Sequence, residues 1–196
     1  MRGQATRKKI LEKTLKLFQE KGILETSISD IEKQVGISKG SLYFHFPSKE
    51  ALALETLKKA RQDFRLFLST AFSEGLPREA LKRFLEMVYQ KLKTEGFRTG
   101  CLFGNTALEM ANREGPLRDL IAETFEEWQE ELAKVLSKAQ KKGCLCEEIK
   151  AEDLALFIIA VLEGAILLSK LQKSGQPLIR TFEILEKLIP FKENKS

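Results

Sequence analysis

The chain has 196 residues, about one to one and a half average domains. Its 43% hydrophobic and 31% charged residues suit a globular protein, not a disordered or fibrous one. With one His, three Cys, and no P-loop, G-x-G-x-x-G or G-x-S-x-G pattern, the composition predicts no metal site, no cofactor and no catalytic activity.

Other classes are disfavoured on the same grounds. The longest uncharged apolar stretch, Leu154 to Leu162, is far shorter than the roughly 20 residues of a membrane helix, so no membrane partner is expected. The opening MRGQATRKKI is polar where a signal peptide needs an apolar middle. Cys101, Cys144 and Cys146 are too few for a disulfide scaffold, and the cytoplasm is the expected location. Residues 1–50 hold ten Lys or Arg against six Asp or Glu, whereas residues 51–196 hold 23 against 22. That concentration of positive charge points to a polyanion, a nucleic acid or an anionic membrane surface.

In chain order the punctuation predicts an all-α protein of about nine helices. Ile10, Leu11, Leu15 and Phe18 recur at helical spacing before Gly22. Ser27 and Asp30 form a capping-box start for a short helix to Val35, with Ile28, Ile31 and Val35 on its apolar face. Ser38 caps a third helix that ends near Phe46-Pro47, and Ser48 opens a long fourth one ending at Gly75. A fifth helix runs from Pro77 to Gly96, and a short sixth follows a glycine-marked bend over 97–104. Gly115-Pro116 opens a seventh that stops at Gly143. Two more, about 152–173 and 177–189, are separated by Gly175 and Pro177.

The most specific segment is TSISDIEKQVGISKGSLYFHFPSK, from Thr26 to Lys49. Two short helices joined by Gly36-Ile37-Ser38 match a helix-turn-helix, in which the first helix braces across the DNA backbone and the second enters the major groove. Leu42 and Phe46 point to the core, leaving Lys39, Gly40, Ser41 and Tyr43 outward. His45 and Lys49 add donors at the far end, and Thr26 or Ser27 at the start of the bracing helix.

The string SKGSLYFHFPSKEAL resembles the recognition-helix signature of the tetracycline-repressor (TetR) family of bacterial transcription regulators. The resemblance covers about the first 50 residues, departing from the commonest form at Phe44. It implies that Ser41 and Tyr43 approach bases or backbone, while Lys39, His45 and Lys49 hold phosphates. It also implies a helix-turn-helix domain over 1–47 and an effector-binding and dimerisation domain over 48–196. A homodimer would read a near-palindromic operator in double-stranded DNA, with half-sites about one helical turn apart or a multiple of it. Its seam is expected on the last two helices, through Leu154, Ile158, Val161, Ala165 and Leu168 with Leu178, Phe182 and Leu185.

The family further implies repression relieved by a small-molecule effector. Cys101, Asn105 and Glu109 form one polar line, and Phe84, Tyr89, Phe103, Trp128 and Phe157 are candidate apolar walls. Each aromatic also fits ordinary core, and the polar line also fits a solvated face. Glu163 interrupts an apolar helix, facing either the cavity or the dimer seam. Cys101, near a helix N-terminus, suits a thiol that senses oxidants or electrophiles as well as a small buried hydrophobe. The rival readings are an architectural DNA-binding protein without an effector and a helical enzyme.

Overall fold

The computed structural model describes residues 2–73, 75–189 and 191. Among them are nine helices and no strand: α1 (Arg2–Lys21), α2 (Ile28–Val35), α3 (Lys39–His45), α4 (Lys49–Ala71), α5 (Pro77–Thr94), α6 (Leu102–Met110), α7 (Pro116–Lys141), α8 (Ala151–Gln172) and α9 (Gln176–Leu188). The all-α expectation holds, and the boundaries follow the local chemistry. Ser27 caps α2 by accepting from the Asp30 amide at 3.0 Å, and Asp30 reaches back to the Ser27 amide at 3.0 Å. That contact, with Lys21 3.0 Å away, holds the Asp30 carboxyl well below its usual range. Ser38 likewise caps α3, and Ser48 caps α4 through the Ala51 amide at 3.0 Å. The fourth helix stops at Ala71, short of Gly75: the Arg83 guanidinium donates to the Ala71 and Ser73 carbonyls and satisfies that end with a side chain.

The chain forms two compact units. The first takes in the chain up to Phe64 together with Leu102–Thr124. Its core is Ile10, Leu11 and Leu17 of α1, Ile31 and Val35 of α2, Leu42 and Phe46 from α3 and its end, and Leu52 of α4. Arg7 lies 4.9 Å from the centre of the Phe46 ring and bonds Glu55 at 2.9 Å, so one side chain pins α1 to α4 over the core. The Arg7 contact draws the Glu55 carboxyl below its usual range. Arg61 pairs with Glu123 at 2.7 Å, tying α4 to α7.

The second unit comprises Arg65–Cys101 and the chain from Phe125 onward. An aromatic cluster fills part of it, with Phe84 within 6.0 Å, ring centre to ring centre, of Phe67, Phe72 and Trp128. Leu92, Ala165, Ile166 and Leu178 make another cluster, closed by Val88, Tyr89, Phe97, Cys101 and Phe182. The turn between α8 and α9 sits so close to α5 that a Cβ on Gly175 would lie 2.7 Å from the Phe97 ring and 2.8 Å from Tyr89.

One expectation needs revising. By length and composition α8 is apolar enough to cross a membrane, although no uncharged run in it exceeds nine residues. Beyond the Glu152–Asp153 pair in its first turn, only Glu163 and Lys170 interrupt it, so a count of unbroken runs understates how apolar the helix is. Nine of its residues, from Ala151 to Ser169, are buried in the second unit.

Phe46, 2% exposed, anchors the end of α3. Phe46→Ala is expected to destabilise the first unit by about 3–5 kcal/mol, as read from chemical denaturation followed by circular dichroism.

Candidate nucleic-acid interface and small-molecule region

The helix-turn-helix sits on the core of the first unit. Leu42 is 1% exposed and faces inward with Phe46, as their spacing requires. The opposite side of α3 therefore presents Lys39, Gly40, Tyr43 and Phe44 to solvent. The Lys39 ammonium lies 5.9 Å from the Tyr43 ring centre, which gathers cation and hydroxyl at one edge of the helix. Ser41 and His45 are half-buried at the flanks.

Phe44 stands out in the sequence only as a departure from the commonest family form and not as a contact residue, yet it is 85% exposed, the most exposed large hydrophobic side chain described. It stands two positions from inward-facing Leu42 on a helix, on the opposite side. That spacing could have identified it.

Two expected donors are otherwise engaged. Thr26 is fully buried and its hydroxyl donates to the Gly22 carbonyl at 2.6 Å, so it is not an exposed donor at the start of α2. Lys49 donates to the Leu24 carbonyl at 3.1 Å, although it stays half-buried near the surface. Ser27 is exposed, with its hydroxyl in the capping box.

The expected effector residues divide between the two units. In the first, Phe103 packs against Phe64 with ring centres 5.4 Å apart, and Asn105 is half-buried. Glu109 accepts from the Ile23 and Leu24 amides, so it is not a free group awaiting a ligand. In the second unit Phe84 and Trp128 are buried in the aromatic cluster. Tyr89 and Cys101 are brought together around Leu92 and Leu178. Phe157 is 46% exposed and does not line that interior. Two cavities, of about 500 and 450 Å³, are lined by other residues, from Arg78 to Phe191 in the second unit and from Ile23 to Arg118 in the first.

Glu163 adds a group to the Tyr89–Cys101 neighbourhood. Its carboxyl is hydrogen-bonded to the Cys101 thiol, while its Oε1 is buried with no hydrogen-bond partner among the described residues. Burial pushes this carboxyl above its usual range.

Most residues expected at a dimer seam are buried within the single chain. Leu154, Ile158, Ala165, Leu178 and Leu185 are all buried within a single protomer, so they belong to its core. Val161 and Phe182 are half-buried, and of the eight only Leu168 is exposed. The outward side of α8 instead carries Leu156, Phe157, Leu167, Leu168 and Leu171, and that of α9 carries Ile184 and Leu188. A helix apolar all round has two hydrophobic stripes, and spacing alone does not say which faces out.

Ionising Glu163 costs stability, since the fold favours its protonated form. That cost is absent below the unfolded carboxyl range and complete once the pH has risen past the raised value. Glu163→Gln is therefore expected to melt above the wild type at about pH 8, with the gap narrowing below about pH 4; thermal melts across that range test it.

Comparison with known proteins accords with this arrangement. Residues 10–56 match the family of bacterial regulatory proteins, tetR family, and residues 77–183 match the C-terminal domain of LmrA/YxaF-like transcriptional regulators. The transcriptional regulator LmrA of Bacillus subtilis is 32% identical, over 94% of this chain and 96% of its own. The transcriptional repressor DhaR of a Mycobacterium strain is 28% identical, over 97% and 96%. The crystal structure of a TetR regulatory protein from Rhodobacter sphaeroides superposes with a TM-score of 0.88 at 28% identity, covering 93% of this chain and 97% of that one. These relatives are regulators, not enzymes. The chain belongs to the TetR family of DNA-binding transcriptional regulators.

Proposed function

We propose that the chain represses transcription as a homodimer that leaves its operator when a small molecule binds. In this reading residues 1–47 carry DNA binding, 48–196 carry effector binding and dimerisation, and the protein acts in the cytoplasm. The observation that carries it is the two-sided α3, with Leu42 and Phe46 buried while Lys39, Tyr43 and Phe44 face outward. Lys39 and His45 meet phosphates, Gly40 allows the backbone to approach one, and Ser41 and Tyr43 reach bases or backbone. Phe44 supplies an apolar surface suited to a thymine methyl group. Lys49 and the start of α2 at Ser27 flank the contact.

Two reading heads joined by the outward stripes of α8 and α9 fit a near-palindromic site. Leu171 is 75% exposed in one protomer. Leu171→Glu is expected to shift the protein from dimer to monomer, measured by sedimentation.

Operator binding is tested by fluorescence anisotropy against a scrambled duplex over a salt series. A specific regulator prefers its operator by about a thousandfold or more. Lys39→Ala is expected to weaken binding to both duplexes and to reduce the salt slope by about one. Phe44→Ala is expected to cost about 1–3 kcal/mol on the operator while leaving the slope unchanged. Equal binding of both duplexes by the wild type would favour an architectural protein instead.

A second reading of the effector is favoured by the Cys101–Glu163 contact. The ionised form of Glu163 would take the Cys101 thiol proton as the sulfur bonds to the β-carbon of an α,β-unsaturated carbonyl compound; the C=C π pair moves toward the carbonyl as an enolate, and the proton is returned to its α-carbon. Release from DNA by α,β-unsaturated carbonyl compounds that is lost in Cys101→Ser supports this reading. Unchanged release rejects it.

A further inference from the structure

The turn between α1 and α2 is held from three sides. Glu109, in the last turn of α6, places Oε2 2.9 Å from both the Ile23 and Leu24 amides, with Oε1 3.2 Å from Ile23 N. Thr26 closes on the Gly22 carbonyl, and Lys49 from the start of α4 takes the Leu24 carbonyl. Gly22 has a φ of +87°, and a Cβ there would lie 2.1 Å from Glu109 Oε1, so the carboxylate occupies the space a side chain would need. Hydrogen bonds from backbone amides to a carboxylate are charge-assisted and about twice as strong as neutral ones. The turn fixes how α2 leaves α1, and α2 carries α3. Glu109 lies 86 residues from Ile23 in sequence, yet α6 belongs to the same compact unit as the reading head.

We propose that Glu109 is a positioning residue for sequence recognition: it reaches no DNA, but its carboxylate, seated on the Ile23 and Leu24 amides, sets the attitude at which α3 meets the groove. The proposal rests on α3 as the base-reading helix. Phosphate contacts govern non-specific affinity and its salt dependence, whereas base contacts depend on register. Loss of Glu109 therefore damages discrimination selectively.

The test uses the full chain and the duplex that the wild type enriches from a random library. Glu109→Ala is expected to weaken binding to that duplex by about ten- to hundredfold, the worth of hydrogen bonds to a charged group. Affinity for scrambled DNA and the salt slope stay at wild-type values. Glu109→Gln keeps an acceptor oxygen at the same reach and restores most of the discrimination. Hydrogen exchange at Ile23 and Leu24 reports the contact directly and is expected to quicken by about tenfold or more in Glu109→Ala.

Wild-type discrimination in Glu109→Ala, with those two amides exchanging fast, would overturn the proposal. So would loss of protection throughout α2 and α3, which would mark Glu109 as a general stabiliser. Failure of the wild type to enrich any sequence would remove the base-reading role of α3 and this proposal with it. The exchange rates would still distinguish that failure from a turn that Glu109 does not hold.

Discussion

A seven-residue helix does not persist in water by itself, and α3 is such a helix. Its shape is borrowed from Leu42 and Phe46, which sink into a core assembled from α1, α2 and α4, and from the Ser38 cap that starts it. What the first unit presents to a duplex depends on that burial. The side facing solvent is free to carry chemistry because the side facing inward is fully committed. The Arg7 guanidinium extends the commitment, covering the Phe46 ring and gripping Glu55 on the next helix. Helix α4, which has a capped start beside this core, runs on into the second unit.

The second unit is built differently. Aromatic rings fill part of it, and α8 supplies an apolar side inward while keeping another outward. Bidentate pairing of Arg65 with Glu127 joins α4 to α7 at its edge. Amid this apolar packing Glu163 and Cys101 stand together as an ionisable pair. A buried carboxyl with an unsatisfied oxygen is costly to the fold.

How legible all this is in the sequence depends on the range of the interaction. The helix starts at Ser27, Ser38 and Ser48 and the stop at Gly36 are written within four residues of where they act, and each is found where its residue type predicts. The inward pair Leu42 and Phe46 follows from helical spacing, and the same spacing read through to the far side yields Phe44. Glu109 is different. Its partners are main-chain amides of a distant turn, and main-chain amides leave no trace in residue identity. Thr26 reads as an exposed cap residue until its hydroxyl is seen closing on Gly22. Which apolar stripe of α8 stays exposed is illegible for a third reason: with apolar residues on every side, periodicity has no contrast to report.

That lack of contrast carries a thermodynamic consequence. In the proposed dimer a second chain covers Leu156, Leu167 and Leu171, which one protomer leaves in water, and so lowers the free energy of both. Folding and association then become one equilibrium, and unfolding draws on two chains at once. The midpoint of a melt climbs with protein concentration. For a regulator present at few copies, the number of chains in the cell becomes a determinant of how much competent protein exists at all.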